Sequence, residues 1–289
     1  MNVVDDVVVP AIVKAVSERT GFRRVATVER IIARPARASV VAPRRAVRGL
    51  RVEDTVVAGT RVVTLTPPTV AEPLDTVVYL HGGAYVLEAS KPHWALAAFL
   101  ARRVPARVHV VHYPLAPAST AATTVPAIAD VIDAIGGAVT VVGDSAGGGL
   151  AVAATQHLLA TGRSVPTRLV LVSPWLDVSL TNPDIAAIES RDPLFTRAGL
   201  GHAGRVYAGA LGVNHPFASP IRGSVDALPP VTIFAGTRDI LWPDARDFAA
   251  ATGAAVHQRD GALHDYVLMP GPVARRDRDL LRQVVASSP

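Results

Sequence analysis

The chain has 289 residues, 49% of them apolar, which suits one large α/β domain or two small ones with a sizeable core. It contains no cysteine, which excludes disulfides and thiolate metal sites. The net charge of +5 comes almost wholly from arginine, since Lys14 and Lys91 are the only lysines.

Asp5 and Asp6 stand where a secretory signal would be basic and then apolar, so a soluble cytoplasmic protein is expected. Residues 3–20 read as an amphipathic helix broken at Pro10, and residues 21–48 as irregular or weakly helical. Arginines crowd between Arg23 and Arg51, where Glu29 is the only acid. An anionic partner would account for that, but no aromatics interleave to stack bases and no nucleic-acid motif accompanies them. A solvated face is the preferred reading, and no nucleic-acid partner is expected.

From Val52 the texture changes. Arg51–Val57 and Thr60–Leu65 predict a hairpin around Ala58-Gly59. Short apolar strands then alternate with helices: Thr76–Leu80, a helix near His93–Arg102, Arg107–Val111, and a helix near Val125–Ile135. The uncharged stretch Val108–Ala129 holds Pro114, Pro117 and Pro126, so it reads as strand plus loop, and no stable membrane insertion is expected. Next come Ala138–Val142, a helix after Ser145, Arg168–Val172, Val231–Ala235, a helix near Pro243–Ala251, Ala255–Gln258, and a helix near Pro272–Val285. This alternation predicts the α/β class, with a mostly parallel sheet covered by helices on both faces. It fails once, between Pro174 and Pro230, where no strand is evident. An excursion of that length past a strand's carboxyl end reads as a lid over the ligand edge.

Three strand ends carry chemistry. Gly143-Asp144-Ser145-Ala146-Gly147 lies between an apolar strand and an Ala/Leu-rich helix, the setting in which a serine becomes a nucleophile. A serine hydroxyl needs a base, an orienter for that base, and donors for the oxyanion. Asp239 follows the strand Val231–Ala235 in a Gly-led loop, with Asp244 and Asp247 as nearby rivals. His264 follows the next strand, with His257 as its rival. The order Ser, Asp, His is that of an α/β-hydrolase. After the strand Thr76–Leu80 stands His81-Gly82-Gly83-Ala84-Tyr85, where an oxyanion loop belongs. The expected donors are the N–H groups of Gly83, Ala84 and Ala146, with Gly82 counted in the same hole. His81 reads as a brace for that loop, and Asp144 as a structural residue bonding backbone near the elbow. Tyr85 and Trp175 are the aromatic candidates for the pocket wall.

With these motifs go Tyr113-Pro114-Leu115-Ala116-Pro117, Ser173-Pro174-Trp175-Leu176-Asp177, Arg191-Asp192-Pro193-Leu194 and Asp239-Ile240-Leu241 with Asp244. Together they resemble the bacterial branch of the hormone-sensitive-lipase-like serine esterases, from about Val52 to the C-terminus. The resemblance implies an α/β-hydrolase fold with a helical cap. Residues 1–50 would form an N-terminal cap segment, and residues 51–289 a catalytic domain with a cap insertion at about 175–225. It also implies hydrolysis of short- to medium-chain carboxylic esters without cofactor or metal. Two departures stand out. Ala84 replaces the family's usual third loop glycine, and Ala118-Ser119-Thr120 replaces the more usual acidic and aromatic run.

On this reading Ser145 attacks a small-molecule ester, His264 is the base, and Asp239 orients it. An amidase or deacetylase would share the triad, and a non-catalytic ligand-binding homologue would usually lack a member of it. The sequence does not fix the oligomeric state, and a homodimer stays open.

Overall fold

Between turn residues the chain is rich in Val, Ile and Leu, which pack best on a pleated surface. In the computed structural model, which describes residues 21–33, 41–68 and 75–287, these runs become the strands of one sheet. The helix expected over residues 3–20 lies outside the described residues. The strands are β1 (Arg51–Val57), β2 (Thr60–Thr66), β3 (Asp75–Leu80), β4 (Ala106–His112), β5 (Val139–Asp144), β6 (Arg168–Val172), β7 (Val231–Gly236) and β8 (Ala255–Arg259). Their spatial order is β1-β2-β4-β3-β5-β6-β7-β8. β1 and β2 form the predicted hairpin, and Ala58 and Gly59 both take positive φ, as its tight turn requires. β2 also runs antiparallel to β4; every other pairing is parallel.

Parallel neighbours need crossover helices. α1 (Val25–Ala33) precedes the sheet. α2 (Lys91–Arg103), α3 (Ala121–Ile135) and α4 (Ala146–Ala160) link β3 through β6. α5 (Ile185–Glu189) and α6 (Arg197–Ala208) lie in the long excursion before β7, α7 (Trp242–Thr252) joins β7 to β8, and α8 (Pro272–Ala286) follows. Val78, Leu80, Val141, Leu171 and Ile233 point to one face, where they meet α3, α4 and Phe248 of α7. Val77, Tyr79, Val142, Val170 and Phe234 point to the other, under Trp94 and Leu100 of α2 and Leu281 of α8. The central strands are apolar on both sides because both sides are covered.

The excursion holds no paired strand among the described residues beyond one isolated bridge, Phe22 to Phe195. That bridge ties it to the N-terminal segment. The Thr196 hydroxyl donates to the Arg23 carbonyl at 2.7 Å, and the Arg23 guanidinium donates to the carbonyls of Asp192 and Phe195 at 2.5 and 3.0 Å. α1 is more regular than the arginine-rich sequence suggests. Val25, Val28, Ile31 and Ile32 recur at helical spacing, and Val28 is fully buried.

Candidate active site

Ser145 occupies the turn between β5 and α4 with φ 51° and ψ −119°, backbone that a side chain rarely adopts. Contacts from three elements hold it there. Its N–H donates to Val172 at the end of β6 (2.8 Å), and its carbonyl accepts from Gly148, Gly149 and Trp175 at 3.0, 3.2 and 2.9 Å. The turn is this tight only because Gly147 has no side chain. A Cβ there would stand 2.0 Å from the Leu80 carbonyl oxygen. The result is a buried serine at the N-terminus of a long helix, where the helix dipole favours negative charge.

The floor beneath Ser145 is built on Asp144. Tyr79 donates its hydroxyl to Asp144 Oδ1 at 2.5 Å, and the Gly82 N–H donates to Oδ2 at 2.8 Å. His93 Nε2 stands 3.2 Å from the same Oδ2. The Ser90 N–H donates to His93 Nδ1 at 2.8 Å, so Nε2 is the nitrogen that carries the proton toward Asp144. Burial works to raise the Asp144 pKa, but His93 and the hydrogen bonds from His93 and Tyr79 outweigh it and hold the carboxyl below its ordinary value.

The loop after β3 corrects one expectation. Gly82 cannot serve an oxyanion, because its N–H is committed to Asp144. Gly83, Ala84 and Tyr85 then take φ of 121°, 53° and 63°, and this left-handed run turns the chain so that Val86 and Leu87 both donate to the Gly83 carbonyl at 3.0 Å. Among the described residues no backbone partner stands against the N–H groups of Gly83, Ala84 or Ala146. His81 is fully buried. Its Nδ1 bonds the Gly82 carbonyl at 2.7 Å, its ring stacks on Tyr113, and burial lowers its pKa to about 4, so it is neutral.

Tyr85 and Trp175 also depart from expectation: they are core, not pocket wall. Both are at most 1% exposed, the Tyr85 ring stacks on Tyr207 at 3.5 Å and faces Trp175, and the Trp175 indole donates to the Asp177 carbonyl. Gly149 in the first turn of α4 makes the room. A Cβ on Gly149 would meet the Trp175 carbonyl at 2.1 Å and the Tyr85 hydroxyl at 2.7 Å.

Farther along the same sheet edge, His264 Nδ1 donates to Asp239 Oδ2 at 2.7 Å, while Asp239 Oδ1 accepts from the Leu241 N–H at 3.0 Å. The rival residues are engaged elsewhere. Asp244 accepts from Asn182 of the insertion, and His257 stacks on Phe234. The Asp265 N–H donates to the Ser173 hydroxyl (3.0 Å), and the Ser173 N–H donates to the Phe234 carbonyl (2.8 Å). With the Ser145 to Val172 bond, these contacts stitch the ends of β5, β6 and β7 to the histidine loop.

Three residues around the His264–Asp239 pair carried no role in the sequence. Phe195 of the insertion sets its ring edge-on at 4.6 Å. Asp192 accepts from Ile240 beside Asp239, and from Leu194 and Phe195, so it locks the insertion to the acid loop. Burial and the Asp239 charge push its carboxyl up to about 6. Asp265 places Oδ2 3.1 Å from His264 Nε2. Burial opposes the imidazolium charge, yet the carboxylates of Asp239 and Asp265 outweigh it and raise the His264 pKa well above its ordinary value. The only signal for Asp192 was its place in the Arg-Asp-Pro-Leu motif; Phe195 and Asp265 had none beyond adjacency.

Such a set can take a proton from a buried hydroxyl, hold the resulting imidazolium and bind a developing oxyanion. Among the described residues no group of three or more His, Cys, Asp or Glu is arranged to hold a metal ion, and no helix is long and apolar enough to cross a membrane.

A family model described as the alpha/beta hydrolase fold matches residues 77–268. A triacylglycerol lipase of Mycobacterium tuberculosis is 38% identical over 229 residues, which make up 77% of this chain and 46% of that protein. An acetyl-hydrolase of Streptomyces hygroscopicus is 36% identical over 183 residues, 59% of each chain. The chain thus spans about half the length of these curated relatives. Among solved structures, a hormone-sensitive lipase from a metagenome library superposes with a TM-score of 0.81 at 22% identity, over 96% of both chains.

Proposed function

The chain belongs to the α/β-hydrolase fold family, and on that premise we propose that it is a serine carboxylesterase acting on short- to medium-chain esters through an acyl-enzyme on Ser145. One observation carries the reading: His264 is bonded to Asp239 at 2.7 Å on the same sheet edge as a serine held in strained elbow geometry. Ser145 Oγ attacks the ester carbonyl as its proton passes to His264 Nε2. Asp239 keeps the proton-bearing Nδ1 in place and stabilises the imidazolium. Gly83, Ala84 and Ala146 donate to the tetrahedral oxyanion. On collapse Nε2–H protonates the leaving alkoxide; water then attacks the acyl-enzyme by the same proton path and frees the acid.

The relatives are named for acetyl groups and for triacylglycerols. Burial of Ser145 and His264, with Phe195 of the insertion against the imidazole, favours the shorter acyl groups here. Residues 21–33 and the insertion at about 175–225 are the proposed cap. The cytoplasm is the proposed location, to be tested by cell fractionation.

The test is fluorophosphonate labelling together with a panel of p-nitrophenyl esters from acetate to palmitate. Wild-type protein should label and Ser145→Ala should not, with turnover lower by as much as ~10⁶-fold. Retention of more than a few per cent of activity overturns the assignment, and higher kcat/KM on palmitate than on butyrate overturns the acyl preference. Since only neutral imidazole is a base, kcat/KM should climb with pH in one step, above the ordinary imidazole value of about 6.5.

A further inference from the structure

We infer that Asp265 is a second carboxylate partner of His264, a positioning residue that faces Nε2 as Asp239 faces Nδ1 and governs when Nε2 is free to take the Ser145 proton. The inference rests on the proposed roles of Ser145 and His264. His264 lies between two carboxylates, 2.7 Å from Asp239 Oδ2 and 3.1 Å from Asp265 Oδ2. The two contacts differ in kind. The Asp239 contact is an aligned hydrogen bond. The Asp265 contact is close but not aligned as one, and both Nε2 and Asp265 Oδ1 are buried without a hydrogen-bond partner among the described residues. An Nε2 proton is therefore attracted to Asp265 but not locked on it.

The backbone fixes the carboxylate where it is. Asp265 has φ 51° and ψ 31°, a left-handed conformation that glycine adopts at less cost. Its N–H is held by the Ser173 hydroxyl and its carbonyl by the Leu268 N–H (2.8 Å). The other titratable groups around it come from every strand end nearby: Asp144 on β5, Tyr79 on β3, His93 on α2 and Asp239 after β7, with Asp192 of the insertion behind Asp239. Tyr79 and His93 are both turned onto Asp144. His264 is the cation in contact with Asp265, and His93 adds a weaker pull from its place on Asp144. Burial pushes the Asp265 carboxyl up to about 6, with the His264 charge pulling the other way, so it is ionised through the neutral and alkaline range.

Two consequences follow from an ionised Asp265. The resting imidazolium, flanked by two carboxylates, keeps its proton to higher pH. Once that proton leaves, the Nε2 lone pair faces a carboxylate oxygen, a repulsive arrangement relieved by accepting the Ser145 proton instead. Asp265 itself takes no proton. Ser145 Oγ–H passes to Nε2 on attack and from Nε2 to the leaving alkoxide on collapse.

The experiment is the pH profile of kcat/KM on p-nitrophenyl acetate for wild type, Asp265→Asn and Asp265→Gly, with the His264 imidazole proton followed by NMR. Both variants suit left-handed backbone, so one serves if the other fails to fold. Removing the charge should move the rising limb, and the NMR titration with it, down by about one pH unit. A lower plateau with the limb in place is what a merely structural Asp265 gives, and it overturns the inference. So does a wild-type His264 that titrates at or below about 6.5. Fluorophosphonate labelling separates the two failures. A labelled, active variant with an unmoved limb removes Asp265 alone, whereas an active Ser145→Ala protein removes the triad reading and this inference with it.

Discussion

The floor around Asp144 and the loop around His264 each rest on an aspartate, the first fully buried and the second partly buried, and the two carboxylates are opposites. Asp144 has both oxygens engaged, by Tyr79 on one and by Gly82 and His93 on the other, and its pKa lies below the ordinary value. Asp265 has one oxygen beside an imidazole and one without a partner, and its carboxyl is pushed up to about 6. Burial raises both; the partners decide the sign. A carboxylate whose lone pairs are filled is architecture. One left short beside a titratable ring leaves a proton free to move, and the proposed chemistry sits on that side.

The sharpest way to break this contrast is Asp239→Asn. It removes the charge that selects the His264 tautomer, so kcat should fall by ~10⁴-fold. The melting temperature should stay near that of wild type, and a large loss of stability in calorimetry would erase the distinction between loop and floor. Asp144→Ala should do the reverse. It strands the Tyr79 hydroxyl, the Gly82 N–H and His93 in a dry interior, at a cost of about 3–5 kcal/mol in urea unfolding. Its pH signature has a fixed sign. Because the folded Asp144 pKa is lowered, its stabilisation is complete above the ordinary carboxylate value and fades as pH falls through the lowered one. The Asp144→Ala variant should lose that dependence. Tyr79→Phe is the mildest, leaving one oxygen of Asp144 short of a donor, for roughly 1–3 kcal/mol. Its rising pH limb should coincide with that of wild type; a shift like that expected for Asp265→Asn would mean that the floor tunes the base too.

Much of this was legible in the sequence because parallel sheets impose it. β-branched runs buried on both faces leave few alternatives to a strand, and their carboxyl ends locate Ser145, Asp239 and His264. Other features depend on contacts between residues far apart in the chain. Gly82 reads like its neighbours in the loop until the Asp144 carboxylate, 62 residues on, takes its N–H. Tyr85 and Trp175 read as pocket wall because the space left by Gly149 appears only when α4 is packed against them. Asp265 reads as a loop residue next to a histidine. Its chemistry depends on one left-handed φ and a bond to Ser173, 92 residues earlier. α1 was blurred by arginines, which a helix face tolerates as readily as a loop does.

The backbone of Ser145 has a consequence on another timescale. At φ 51° and ψ −119°, held from three sides, glycine is the residue that fits with least strain. Selection for turnover and selection for a durable fold therefore pull position 145 in opposite directions. A duplicated copy relieved of the proposed ester hydrolysis has a one-residue path to a firmer, silent protein. The serine would go first, while the strands, the glycines of the elbow and the Asp144 floor remained as the record of what the chain once did.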